Sequence, residues 1–365
     1  MVMRDIRIRL FMATILLICI GIVMIYSASG IYASERYHDE FFFLKRHLSF
    51  ILIGFVFVLG ILLSDYKKLR KYARPGLIIA GFLLLLVLIP GLGREVAGAR
   101  RWFRFKLFSF QPSEFAVLAI VIYTADFIAR KENKIKTLRW GLFPVMGVLG
   151  CMSSLILAQP DLGTTISIAT VVFLMLYVAG VPLRYLVCIF LIALVLLVVL
   201  IIIEPYRIRR ILAFLNPWAD PKGSGFQIIQ SQVAIGSGGL FGTGLGHSRQ
   251  KLFYLPAAHT DFIFSIIGEE LGFVGAVGVI LLFIVFVHLG LKVVKNVQDR
   301  FGYFLSFGLV CMLAFRAAVN IGVSCGVMPT KGLPLPFISY GGSSFVFDMI
   351  SVGLLLNIAK VEDAP

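Results

Sequence analysis

An all-α membrane bundle of ten spanning helices, with one long outward loop between the seventh and eighth, is the fold class this sequence predicts. Three observations predict it. Mean hydropathy is +0.95, with 59% hydrophobic and only 15% charged residues, and a soluble exterior for a chain of 365 residues needs far more charge. Apolar runs of roughly 17 residues or more recur from end to end, each long enough to cross a hydrocarbon core about 30 Å thick as a helix. The runs are continuous and about twice the length of a barrel strand, which excludes an alternating transmembrane barrel.

The expected spans are 10–28, 44–63, 73–91, 113–129, 141–158, 163–180, 184–203, 262–290, 302–325 and 343–359. The first runs too far to be the apolar stretch of a cleavable signal and reads as a membrane helix. Between the second and third lies a basic connection with Lys67, Lys68, Arg70, Lys71 and Arg74. The third gives way to a connection holding Arg94, Arg100, Arg101, Arg104 and Lys106. Glu114 opens the fourth span, and Arg130, Lys131, Lys134, Lys136 and Arg139 follow it. Asp161 stands just before the sixth and Arg184 at the start of the seventh. The connection 204–261 contains Pro, Gly and one short amphipathic stretch, 206–215. Asp261 opens the eighth span, Arg316 lies within the ninth, and Gly341-Gly342-Ser343-Ser344 opens the tenth. No connection is large enough for a soluble domain, so residues 1–365 read as one membrane domain with 204–261 as its long outer loop.

Lys and Arg placement sets the orientation. The N-terminus and every second connection after it hold most of them once the long loop is discounted, which places both termini on the cytoplasmic side. The margin is narrowed by the outward 94–106 connection, whose arginines either snorkel to headgroups or receive an anionic substrate. The formal net charge of +15 reports anchoring beside anionic lipid; no soluble basic module with interleaved aromatics supports nucleic-acid binding. Cys19, Cys151, Cys188, Cys311 and Cys325 all fall in apolar runs without a CxxC and read as packing residues.

Carboxylates at a membrane are costly and need a reason. Glu114, Asp161 and Asp261 face one compartment beside the arginine-rich connection and outline a polar cavity. Asp261 leads, in His259-Thr260-Asp261-Phe262-Ile263-Phe264, where a polar loop enters an apolar helix. A helix N-terminus lowers a carboxylate's pKa and desolvation raises it, while position alone favours simple helix capping. The glycine-rich stretch 236–246 lacks the Lys-Ser/Thr of a phosphate loop, leaving a closely approaching backbone or a flexible loop. Lys331 sits among Pro329, Pro334 and Pro336, ahead of a helix N-terminus at Ser343 suited to anions. His47, His247, His259 and His288 show no metal-ligand spacing.

Several segments carry a resemblance. They are Gly98-Ala99-Arg100-Arg101-Trp102, Gln111-Pro112-Ser113-Glu114, Gln159-Pro160-Asp161-Leu162-Gly163, Gly242-Thr243-Gly244-Leu245-Gly246, His259 to Phe264, Gly268-Glu269-Glu270-Leu271-Gly272 and 329–344. In this order, across the whole chain, they resemble the SEDS family of bacterial shape, division and sporulation proteins. The segments 99–102 and 244–252 are more similar to its division branch than to its elongation branch. The resemblance implies a ten-span peptidoglycan glycosyltransferase of the bacterial cytoplasmic (inner) membrane, polymerising lipid II at the outer face. It further implies a class B penicillin-binding transpeptidase and divisome proteins as partners. The aspartate matching Asp261 is the family's catalytic residue, and Arg100, Arg101, Glu114, Gln159, Asp161, His259, Thr260, Lys331 and Ser343 are the matching candidates for substrate binding. One departure stands out: the family usually has Glu after Leu-Pro, whereas Ala257 follows Leu255-Pro256 here. Any role of that Glu falls to another group, with Glu114 and Asp161 the candidates, or is absent.

Lipid II brings its own activation as an undecaprenyl pyrophosphate, which fits a sequence without a nucleotide-binding motif. Asp261 is expected to deprotonate the acceptor 4-hydroxyl. Arg100, Arg101 and Lys331 are expected to stabilise the departing pyrophosphate, with a divalent cation (Mg or Mn) the one cofactor left open. Three alternatives stand beside this reading: a lipid II flippase using Arg316, Glu269 and Glu270, a scaffold that only recruits a transpeptidase, and an elongation polymerase.

Overall fold

The computed structural model describes residues 2–96, 98–104, 109–132, 134–252 and 255–363. Helices α1 (Val2–Tyr37), α2 (Phe42–Leu62) and α3 (Leu69–Leu88) precede a small antiparallel sheet of β1 (Arg94–Val96), β2 (Ala99–Arg104) and β3 (Ser109–Phe110). Then come α4 (Pro112–Arg130), α5 (Phe143–Leu157), α6 (Leu162–Val178) and α7 (Leu183–Ile203). The long loop contains α8 (Pro205–Leu215), which matches the amphipathic stretch, and α9 (Phe226–Ser237). The chain ends in α10 (Ile263–Asn296), α11 (Arg300–Ser324) and α12 (Gly342–Val361).

Every expected span falls on a helix. Nine helices among the described residues are long and apolar enough to cross a membrane. The remaining one, α6, is 17 residues long, about 26 Å at 1.5 Å per residue. In the most apolar windows of α4 and α12, 78% of residues are buried, against 6% for α7. Ala116, Ala119 and Ala125 let neighbours close in around α4, as small residues do between membrane helices. Beyond Arg184 and Tyr185 in its first turn, α7 is dominated by Leu, Val and Ile, with no charged group further along to hold it against the bundle.

The eighth span departs from expectation. At Gly272 the backbone of α10 leaves the helical region (φ 68°, ψ −167°), so two helical segments meet at a break. The groups that the break frees pair with the glycine-rich stretch. The amides of Phe273 and Val274 donate to the carbonyls of Gly239 (2.9 Å) and Leu240 (3.1 Å). The carbonyls of Glu269 and Glu270 accept from the amides of Thr243 (3.0 Å) and Gly244 (3.1 Å). Buried backbone groups require such partners. A Cβ at Gly242 would lie 2.1 Å from the Glu270 carbonyl oxygen, and φ is +81° there. The close backbone approach is therefore to α10. Gly242→Ala is expected to destabilise the protein by at least about 1–2 kcal/mol from the left-handed backbone alone; thermal unfolding in detergent measures it.

Candidate active site

The outer ends of α1 and α2, the sheet, and the beginnings of α4, α6 and α12 meet at the end of the bundle opposite both chain termini. They enclose a cavity of about 700 Å³. Tyr37, Arg46 and Phe50 form one wall, and Arg94, Arg101, Trp102 and Ser109 of the sheet form another. Gln111, Glu114, Thr164, Thr260, Asp261, Gly332–Pro334, Tyr340–Gly342 and Ser344 complete it.

Asp261 reaches the cavity through a tight turn. Ala257 adopts φ +57°, and its carbonyl accepts from the amides of Thr260 (3.1 Å), Asp261 (3.1 Å) and Phe262 (3.3 Å). Asn320 of α11 then fixes the backbone by donating from Nδ2 to the carbonyls of Asp261 (2.9 Å) and Leu333 (2.8 Å). The α10 cap position falls to Phe262, which makes no side-chain cap, so Asp261 is not serving as the cap that its position suggested. Among the described residues no donor is hydrogen-bonded to its carboxylate. Burial pushes that carboxyl up to about 6, while Arg210 of α8 pulls the other way. Of the two opposing effects, desolvation wins. The backbone of Gly332 lies against the group so closely that a Cβ there would sit 3.3 Å from Oδ2.

The other carboxylates are engaged. Asp161 caps α6, accepting from the Thr164 amide (3.1 Å) and hydroxyl (2.9 Å). Glu114 lines the cavity but is paired with Arg316, whose Nη1 also donates to Asp348 Oδ1 at 3.2 Å. Arg316 is 2% exposed, so this triad from α4, α11 and α12 is a closed ionic core beneath the cavity.

The basic residues divide differently from their order in the sequence. The register of β1 and β2 sets Glu95 opposite Arg100, and the two form an exposed pair at 3.2 Å, away from the cavity lining. Arg101 does line the cavity; it donates from Nε to the Gln159 carbonyl (2.7 Å) and from Nη2 to the Pro160 carbonyl, tying the sheet to the α5–α6 turn. Gln159 itself is fully buried and donates to the Leu84 carbonyl at 3.1 Å. Lys331 is not part of the lining and packs near Gly163, with burial lowering its pKa from the usual lysine range. Ser343 accepts from the Gln111 amide at 3.2 Å and links α4 to α12. Thr260 lines the cavity, and its carbonyl accepts from Ser339 Oγ at 2.6 Å. His259 is packed against Phe43 (4.5 Å between ring centres) and Tyr340 (5.8 Å), and burial pushes it down to about 4, keeping it neutral. Lys106, expected with the basic cluster, lies outside the described residues.

Two basic residues that sequence reasoning did not single out gain roles, Arg46 and Arg210, beside Arg94 of the outward 94–106 cluster already read as a candidate for receiving an anionic substrate. Arg46 and Arg94 line the cavity, and Arg210 acts on Asp261 from α8. The signal for Arg46 was its place at an outward helix end beside Phe41, Phe42 and Phe43, over one of which its guanidinium now stacks at 4.5 Å. Among the described residues no group of three or more His, Cys, Asp or Glu is disposed to hold a metal ion. These residues therefore offer a divalent cation no ready-made set of protein ligands.

Residues 8–364 match the family FTSW_RODA_SPOVE, described as "Cell cycle protein". The chain is 46% identical over 348 residues to a "Probable peptidoglycan glycosyltransferase FtsW" of Geobacter sp. (strain M18), covering 95% of each. It is 45% identical over 352 residues to the "Stage V sporulation protein E" of Bacillus subtilis (strain 168), covering 96% of each. A solved structure described as "Structural coordination of polymerization and crosslinking by a peptidoglycan synthase complex" superposes with a TM-score of 0.79 at 31% identity, over 98% of each chain. The crystal structure of the rod shape determining protein RodA of Thermus thermophilus gives 0.73 at 28% identity, over 98% of this chain and 97% of the other.

Proposed function

The chain belongs to the FtsW/RodA/SpoVE family of membrane-embedded cell cycle proteins, and from that membership we propose that it polymerises lipid II into glycan strands for the septal wall. It works at the outer face of the inner membrane with both termini in the cytoplasm. The observation that carries this reading is Asp261, whose carboxylate has no hydrogen-bond donor among the described residues, on the lining of a cavity with Arg46, Arg94 and Arg101 on its walls. A cavity of this kind suits a substrate with a neutral sugar to be deprotonated and a pyrophosphate to be released.

The reaction follows from these residues. Asp261 accepts the proton of the acceptor's 4-hydroxyl as that oxygen bonds to the donor's anomeric carbon, with inversion. The bond from that carbon to the pyrophosphate oxygen breaks, and its electron pair leaves with undecaprenyl pyrophosphate. Arg94, Arg101 and Arg46 meet the phosphate charge as it grows. A divalent cation, when bound, would add charge at the phosphates; no step here depends on it. Arg316, on which a flippase reading rested, is held by Glu114 and Asp348, and this favours an enzyme over a translocation path.

Purified protein supplied with lipid II, with and without a class B penicillin-binding transpeptidase, tests the reading through glycan length. Transfer of labelled lipid across vesicles without lengthening would replace it with a flippase. The pH dependence is a further expected outcome. The base must be ionised, and its carboxyl is raised from 3.8 to about 6. Polymerisation should therefore be sustained above this value and lost as pH falls through about 6, rather than near 4. A rate profile from pH 4.5 to 8 reads it.

A further inference from the structure

A second polar cluster lies outside the cavity, where the outer loop, α1 and α10 meet. Lys251 Nζ lies 2.9 Å from Glu270 Oε1, and their side chains are only 4% and 0% exposed. Ser27 of α1 donates to Glu270 at 2.6–2.7 Å and receives Lys251 Nζ at 3.3 Å. The neighbouring Glu269 holds the same loop segment, accepting from the Arg249 amide (2.8 Å), the Gln250 amide (3.4 Å) and the Ser248 hydroxyl. Successive residues on a helix diverge by about 100°, so the two glutamates grip the segment from two sides. A buried lysine–glutamate pair adds little net stability over apolar packing and is informative for what it orients.

The clamp fixes the chain at residue 251, and the Leu255 amide donates back to the Gln250 carbonyl at 2.9 Å. From there the chain turns at Ala257 and delivers Asp261, then enters the same helical segment that carries Glu269 and Glu270. The loop around Asp261 is thereby closed on itself at both ends. We propose that Lys251 and Glu270, braced by Ser27, are positioning residues that hold the segment carrying Asp261 down at the cavity floor. The proposal rests on Asp261 being the base of the polymerase described above. Releasing the clamp lets the segment rise and water reach the carboxylate, while Arg210, the charged group that acts on Asp261, is left untouched on α8.

The test uses the full-length protein and has two separate readouts. The first is the pH midpoint for labelling of Asp261 by a hydrophobic carbodiimide, followed by peptide mass spectrometry, which requires no activity. The second is kcat and KM for lipid II polymerisation. In Lys251→Met the midpoint is expected to fall from about 6 by a unit or more toward the ordinary carboxylate range. The kcat is expected to fall at least tenfold with KM little changed, because the arginines on the cavity walls stay in place. Lys251→Arg, which keeps the charge, is expected to retain both. If Lys251→Met does not fold, Ser27→Ala removes one brace and is read the same way, with a smaller shift. A folded variant with an unmoved midpoint overturns the clamp, whatever its kcat. A lowered midpoint with unchanged kcat leaves the clamp standing and removes Asp261 from the chemistry, as does a wild type that labels normally but lengthens no glycan.

Discussion

Asp261→Asn is expected to lower lipid II polymerisation by about 10²–10⁴-fold while leaving the protein folded. Asparagine has nearly the same shape but does not take the proton from the acceptor hydroxyl. The fold should tolerate it, because among the described residues the carboxylate holds no hydrogen bond. The backbone is fixed independently by Asn320, through the Asp261 and Leu333 carbonyls. Removing a partly buried ionisable group even relieves a desolvation cost. Glycan length from purified lipid II measures the loss, and unfolding in detergent shows that structure is retained. Full activity in a folded Asp261→Asn protein would move the base elsewhere.

Arg316→Met should have the largest effect on stability. It leaves Glu114 and Asp348, each under 5% exposed, facing one another without the cation between them. Breaking a buried ion pair from one side costs about 3–5 kcal/mol. Adding Glu114→Gln and Asp348→Asn to the same chain should recover much of that loss, since neutralising all three members removes the uncompensated charge. Thermal unfolding of the single and triple variants provides the comparison. A single variant as stable as wild type would show that water reaches the triad.

The sequence was informative where physics acts locally. All ten apolar runs fall on helices, nine of them among the described residues long and apolar enough to cross a membrane, and the amphipathic 206–215 stretch became α8. Asp261 was legible because an acidic residue at the start of an apolar helix is costly and needs a reason. The partners were not legible. Glu114 and Arg316 are 202 positions apart, and nothing along the chain signals that one neutralises the other, so Glu114 read as a free cavity carboxylate. Arg100 and Arg101 looked interchangeable until the β1–β2 register gave the first to Glu95. The break at Gly272 escaped because its cause, a strip of glycines from a distant loop, exists only once the chain has folded.

The bare backbone of Gly332 beside Asp261 bears on drug resistance. An antibacterial compound that reached the carboxylate with a hydroxyl or amide N–H would fill the notch that a side chain at this position would narrow, with its first carbon 3.3 Å from Oδ2. If Asp261 is the base, a methyl group placed there to hinder the compound would also narrow the approach of the hydroxyl that the carboxylate serves, so escape at this position would carry a cost in activity.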